Sequence, residues 1–147
     1  MQEAGIIHLM DGLREVLSEE LTRTEGLVAA YLFGSTVRPS ARAPGDVDVA
    51  LLWKEGMSPR ERLLAGEDVG RRVERALPER RQVDIVDLRS APPSLLRRVL
   101  VDAERLCVRD HVGRVRFEAA ALSQAIDFLE WQRPYLERWL RRIADGR

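Results

Sequence analysis

Two aspartates, Asp46 and Asp48, open the apolar run DVDVALLW at residues 46–53. In an extended chain, residues two apart share a face. Both carboxylates therefore project together, while Val47, Val49 and Leu51 point the other way into a core. Carboxylates this close repel each other, and in a partly dry site both stay ionised only with a cation between them. Hard divalent ions such as Mg²⁺ bind one or two carboxylates plus phosphate oxygens. The pair is thus half of a metal–nucleotide site. A third carboxylate, Asp84, lies mid-run in QVDIVDL between Val83 and Ile85, where a charge is expensive without a partner. Asp87 competes for that role, but it stands near the end of the run, where a turn carboxylate is ordinary. Three carboxylates can hold two divalent ions about 3.5–4 Å apart, as in-line phosphoryl transfer uses them.

The other half of such a site must hold phosphate. Gly34-Ser35 follows the apolar run LVAAYLF. Glycine permits close backbone approach, and free N–H groups at a helix start attract anions. The Ser35 hydroxyl can donate to a phosphate oxygen, and Arg38, three residues on, can grip a triphosphate with its two-pronged guanidinium. Arg42 is a weaker candidate for the same task. Taken singly, Ser35 is as readily a helix cap and Arg38 a solvated charge; the grouping points to chemistry.

These residues need strands to present them. LVAAYLF at 27–33 is short, apolar and bounded by glycines, as a buried strand is. Residues 46–53 and 81–88 read as two more strands, and 104–110 as a short edge strand. Helical spacing of apolar residues runs over about 6–21, closed by Gly26. A second helix starts at Ser58 as N-cap with Pro59 in its first turn. A third follows Pro92 and Pro93 to about Ala103, and a long one covers 112–143, interrupted or kinked at Pro134. The order α, β, β, α, β, α, short β, long α describes a small mixed α/β (α+β) domain with helices packed on a sheet.

The remaining features narrow the class. With 147 residues the chain is the size of one domain, and residues 1–147 are expected to form it alone. Lys+Arg and Asp+Glu are both 24, which argues against a protein built to coat DNA or RNA. Cys107 is the single cysteine, which suits a reducing cytoplasm; no signal pattern or membrane-length apolar run is present. His8 and His111 lack metal-ligand spacing and read as structural. Trp131, Tyr135 and Trp139 recur every four residues, as a helix packing face does, with partner docking as the alternative; Arg133, Arg138, Arg141 and Arg142 around them read as a solvated face.

Gly34-Ser35, ten residues, then Asp46-x-Asp48 matches the G-S-x(10)-D-x-D signature. On those residues, and on YLFGSTVR and GDVDVALL around them, the chain resembles the minimal nucleotidyltransferases of the DNA polymerase beta-like superfamily. More narrowly, it resembles the adenylyltransferase antitoxins paired with HEPN-type toxins. The resemblance covers residues 27–88 by motif. It departs from the pattern in Val37, where members often carry alanine before the arginine, and in two loop prolines, Pro39 and Pro44. What it implies is a polymerase beta-like fold and Mg²⁺-dependent transfer of AMP from ATP to a hydroxyl, a tyrosine of a partner HEPN toxin. Asp46, Asp48 and Asp84 then hold two Mg²⁺, with Asp84 also helping to deprotonate the acceptor. Gly34 and Ser35 cradle the β- and γ-phosphates, and Arg38 neutralises them. A chain of this size leaves no room for a separate acceptor domain, so a partner or second subunit brings the acceptor, in a homo- or hetero-oligomer. Two rivals share the motif: a nucleotidyltransferase acting on a small molecule such as an aminoglycoside, and an antitoxin that neutralises by contact alone.

Overall fold

The computed structural model describes residues 2–37 and 45–144, with the backbone alone for residues 2–10, 139, 142 and 143. The elements follow the expected order: α1 (Gln2–Thr22), β1 (Leu27–Phe33), one 3₁₀ turn (Gly34–Thr36), β2 (Val47–Trp53), α2 (Pro59–Ala76), β3 (Val83–Asp87), α3 (Pro93–Asp102), β4 (Glu104–Val108) and α4 (His111–Ala144). The strands form one sheet in the order β3-β2-β1-β4. β1 runs antiparallel to both β2 and β4, and β2 runs parallel to β3 across the α2 crossover.

Every residue of β1 is buried, because the sheet is covered on both sides. On one side, Leu13, Leu17 and Leu21 of α1 and Val69 and Val73 of α2 meet Leu32, Val49, Leu51 and Trp53. On the other, Leu96 and Val99 of α3 and Ala121 of α4 meet Tyr31, Phe33, Ala50 and Leu52. The face of β2 that carries Asp48 is therefore apolar one step further along, at Ala50 and Leu52. Asp48 stands where that second core gives out. α2 lies close on β3 because Gly66 has no side chain: a Cβ there would meet Ile85 Cγ2 at 3.2 Å. β4 is an edge strand, as expected, and β3 is the other edge.

Three expectations are corrected. α1 stops at Thr22 and not at Gly26. The Thr24 hydroxyl and N–H bond back to Glu20 and Leu21, and Gly26, at φ 75°, only turns the chain into β1. Pro134 does not interrupt the last helix, since α4 continues across it to Ala144. Pro134 is exposed, so water can take the carbonyl that its missing N–H leaves free. Nor does the aromatic stripe pack on the body. Among the described side chains, the last buried position of α4 is Ala125, while Trp131 and Tyr135 are 64% and 58% exposed. They contact rings along their own helix instead, Trp131 stacked on Phe128 at 6.3 Å and tilted against Tyr135 at 5.3 Å. Leu129, Leu136 and Leu140 are exposed beside them. Arg133, Arg138 and Arg141 are solvated as expected, and the side chains of Trp139 and Arg142 lie outside the described residues.

α2 starts with a full capping box. Ser58 Oγ accepts the Glu61 N–H, and the Ser58 N–H donates to the Glu61 carboxylate. Ser58→Ala removes one arm and leaves the Glu61 N–H unsatisfied. It should lower unfolding stability by about 1 kcal/mol, read from urea denaturation, and leave the β-strand circular dichroism unchanged.

Candidate active site

The site begins where β1 ends. Phe33, the last residue of β1, pairs with Asp48. Gly34 follows at φ 77°, a region L side chains avoid, and a Cβ there would sit 2.1 Å from Asp48 Oδ2. The glycine is needed twice, for its backbone angle and for the space the aspartate fills. Ser35 lies exposed within the 3₁₀ turn and is not its cap, which is Phe33.

The two ends of the intervening segment meet. The Thr36 hydroxyl donates to the Asp46 carbonyl at 3.1 Å. The Arg81 guanidinium donates twice to the Gly45 carbonyl, at 2.7 and 3.1 Å, and the Val47 N–H bonds to Gln82 O. Ser35 and Gly45 are thereby neighbours: a Cβ on Gly45 would lie 3.7 Å from Ser35 Oγ. Arg38 and Arg42 lie outside the described residues.

The parallel pairing of β2 and β3 places Asp84 opposite Asp48 in register, on adjacent strands about 4.8 Å apart. Asp46 precedes β2 and is exposed. Gln82 donates to Asp84 Oδ1 at 3.2 Å. Burial raises the Asp48 carboxyl above its ordinary value, and Asp84 pushes the same way; Arg98 pulls against them, and Asp46 adds a smaller push. Asp87, the competitor for the third carboxylate, is committed elsewhere. Its Oδ2 accepts from Arg62 of α2 at 2.8 Å and from Ser90 Oγ at 2.9 Å, and its Oδ1 from the Arg89 N–H. Its side chain lies on the α2 side of the sheet, one strand position out of phase with Asp84.

Among the described residues, no three His, Cys, Asp or Glu side chains are gathered as a finished metal cage. The donor set nevertheless suits a hard divalent ion. Burial and then the charge of Asp84 favour the protonated form of Asp48, and a cation relieves that. Magnesium keeps several waters and phosphate oxygens and needs only one or two carboxylates from the protein. His111 starts α4 with Arg114 against its Nδ1, away from this group, and Cys107 is half-buried, its thiol pushed up by burial. Nothing is described of the His8 side chain.

Sequence reasoning missed two groups here. Thr36 falls inside the motif, but its tie to Asp46 appears only once the segment closes. Arg98 stands over the Phe33 ring, 5.9 Å from its centroid. In sequence it is one of a pair, Arg97-Arg98, with nothing to distinguish the two.

The comparisons with known proteins agree with this geometry. The family described as polymerase beta, nucleotidyltransferase matches residues 15–112, two-thirds of the chain, and the chain belongs to it. No functionally curated protein matches it in sequence. Among solved structures, a toxin–antitoxin with AMP-PNP superposes with TM-score 0.67 at 21% identity, covering 86% of this chain and 98% of that one. The MntA–HepT toxin–antitoxin does so with TM-score 0.58 at 20% identity, covering 90% and 97%. The tri-AMPylated Shewanella oneidensis HEPN toxin in complex with MNT antitoxin gives TM-score 0.57 at 21% identity, covering 95% and 99%. At this identity the likeness establishes the fold, a polymerase beta-like nucleotidyltransferase with a long C-terminal helix. No helix among the described residues is long and apolar enough to cross a membrane.

The strained Asp48 gives a check on the site that needs no substrate. A carboxyl whose folded pKa is raised binds protons more readily when folded, so its ionised form weakens the fold at neutral pH. In metal-free buffer, Asp48→Asn should raise the thermal midpoint at pH 7. The gain should shrink as pH falls through the raised folded value, which differential scanning calorimetry across pH reads directly.

Proposed function

We propose that this chain is a single minimal nucleotidyltransferase domain, acting in the cytoplasm, that moves AMP from ATP to a hydroxyl of a partner protein. The partner is a HEPN-type toxin, the acceptor most simply a tyrosine, and the transfer neutralises it. The observation that carries this reading is the in-register pair Asp48 and Asp84 beside the Gly34-Ser35 turn. Similar folds are seen in toxin–antitoxin structures, one with AMP-PNP and one with an AMPylated toxin, which supports the choice of nucleotide and acceptor.

Asp46, Asp48 and Asp84 are the residues that would hold two Mg²⁺ ions, which when bound neutralise the triphosphate and the departing pyrophosphate. The Gly34 backbone and the Ser35 hydroxyl donate to phosphate oxygens, and Arg38 is assigned the same charge-neutralising role. Asp84 accepts the proton of the acceptor hydroxyl. The acceptor oxygen forms a bond to the α-phosphorus, the bond from that phosphorus to the bridging oxygen breaks, and pyrophosphate leaves. The partner has a surface to grip: the apolar length of α4 beyond Ala125 is unpartnered among the described residues.

Labelled ATP with Mg²⁺ and cell extract tests the transfer. Label should move to a protein band; label on a small metabolite supports the aminoglycoside-type rival. Asp46→Asn with Asp48→Asn should cut labelling by on the order of a hundredfold or more. If that double variant still neutralises the toxin fully, contact alone is the mechanism. Asp87→Asn should behave oppositely, keeping labelling while losing about 1–3 kcal/mol of stability as Arg62 loses its partner. Trp131→Glu with Leu136→Glu should leave the thermal midpoint nearly unchanged, since both positions are exposed, yet weaken binding of a helical R-x(4–6)-H toxin at least about tenfold by calorimetry.

A further inference from the structure

The acid site described above has a positive neighbour that no part of the motif supplies. α3 buries Leu96 and Val99 against the second core, and Arg98 stands on its exposed flank. The Arg98 guanidinium lies over the ring of Phe33. Phe33 is the residue that pairs with Asp48 and leads into Gly34, so this perch is at the strand end from which the site is built. An aromatic face attracts a guanidinium by its quadrupole but leaves all the N–H groups free to donate. A carboxylate partner would occupy them. Among the described residues, Arg81 also lies close to the turn, but it is already spent on the Gly45 carbonyl.

An incoming nucleoside triphosphate brings several negative charges to a place that already has Asp46, Asp48 and Asp84. It therefore needs cationic donors with free N–H groups. Arginine suits this better than lysine, since its planar fork grips two oxygens of one phosphate.

We propose that Arg98 is a phosphate-binding residue of this site, held over Phe33 as counter-charge to the acidic group in the empty chain and turned onto the nucleotide's phosphates when the acids are neutralised. Its pull on Asp48 is the same field read from the carboxylate's side. The proposal rests on the nucleotidyl-transfer reading of the site.

It predicts effects of opposite sign from one change, which a merely structural role does not produce. Arg98→Met keeps the apolar stem over Phe33 and removes the charge. Mn²⁺ alone, titrated by paramagnetic resonance, should bind it about threefold tighter than wild type, because one repelling charge is gone. Mn²⁺ with a non-hydrolysable ATP analogue should bind it roughly tenfold more weakly, read by calorimetry as analogue affinity. Arg98→Lys should leave the Mn²⁺ affinity near wild type and recover only part of the analogue affinity. Arg97→Met, which changes net charge equally from the next position, should leave the analogue affinity unchanged. If both affinities of Arg98→Met move the same way, or neither moves while wild type binds normally, the assignment of Arg98 is overturned. If wild type itself binds neither Mn²⁺ nor the analogue, the nucleotidyl-transfer reading falls and takes this proposal with it.

Discussion

Asp48 and Asp84 sit side by side on parallel strands with their side chains on one face, and their mutual repulsion shapes much of the structure around them. A packed interior tolerates such a pair poorly. It is placed where the second core ends, past Ala50 and Leu52, so that one side faces apolar groups and the other faces outward. Partial burial of Asp48 disfavours its charged form, and a neighbouring cation would offset that cost. The absent side chain at Gly34 leaves the space that Asp48 Oδ2 fills.

The rest of the fold holds that placement still. Both covered faces of the sheet anchor β2, so its register against β1 and β3 cannot slip without burying polar groups or exposing Val49 and Leu51. The crossover through α2 makes β3 parallel to β2, and a parallel register is what aligns residues 48 and 84. Arg62 reinforces it by tying α2 to Asp87 at the far end of β3 and donating to the Met57 carbonyl at 2.6 Å. On the opposite side of the sheet, the Tyr31 hydroxyl donates to Glu118 at 2.6 Å and locks α4 against β1.

Much of this was legible because it is local. LVAAYLF reads as a doubly buried strand from its unbroken apolar run, and the Ser58-Pro59 start of α2 from its cap chemistry. The opposite facing of Asp84 and Asp87 was also within reach, since residues three apart on a strand point to opposite faces. What the residues alone did not reveal depends on tertiary context. Whether an aromatic stripe is covered is decided by where the body of the protein stops, and among the described side chains burial along α4 ends at Ala125. Pro134 removes one hydrogen bond from α4, and its exposure lets solvent take the freed carbonyl as the helix runs on. Arg98 differs from Arg97 only through its rotation about α3.

The ties between Thr36 and Asp46 and between Arg81 and Gly45 have a further consequence. They clamp both ends of the segment that joins the Gly34-Ser35 turn to the aspartates. The spacing between turn and aspartates is therefore set by the clamp and not by what lies between its jaws. A segment bounded in this way can be exchanged for another composition without moving the aspartates.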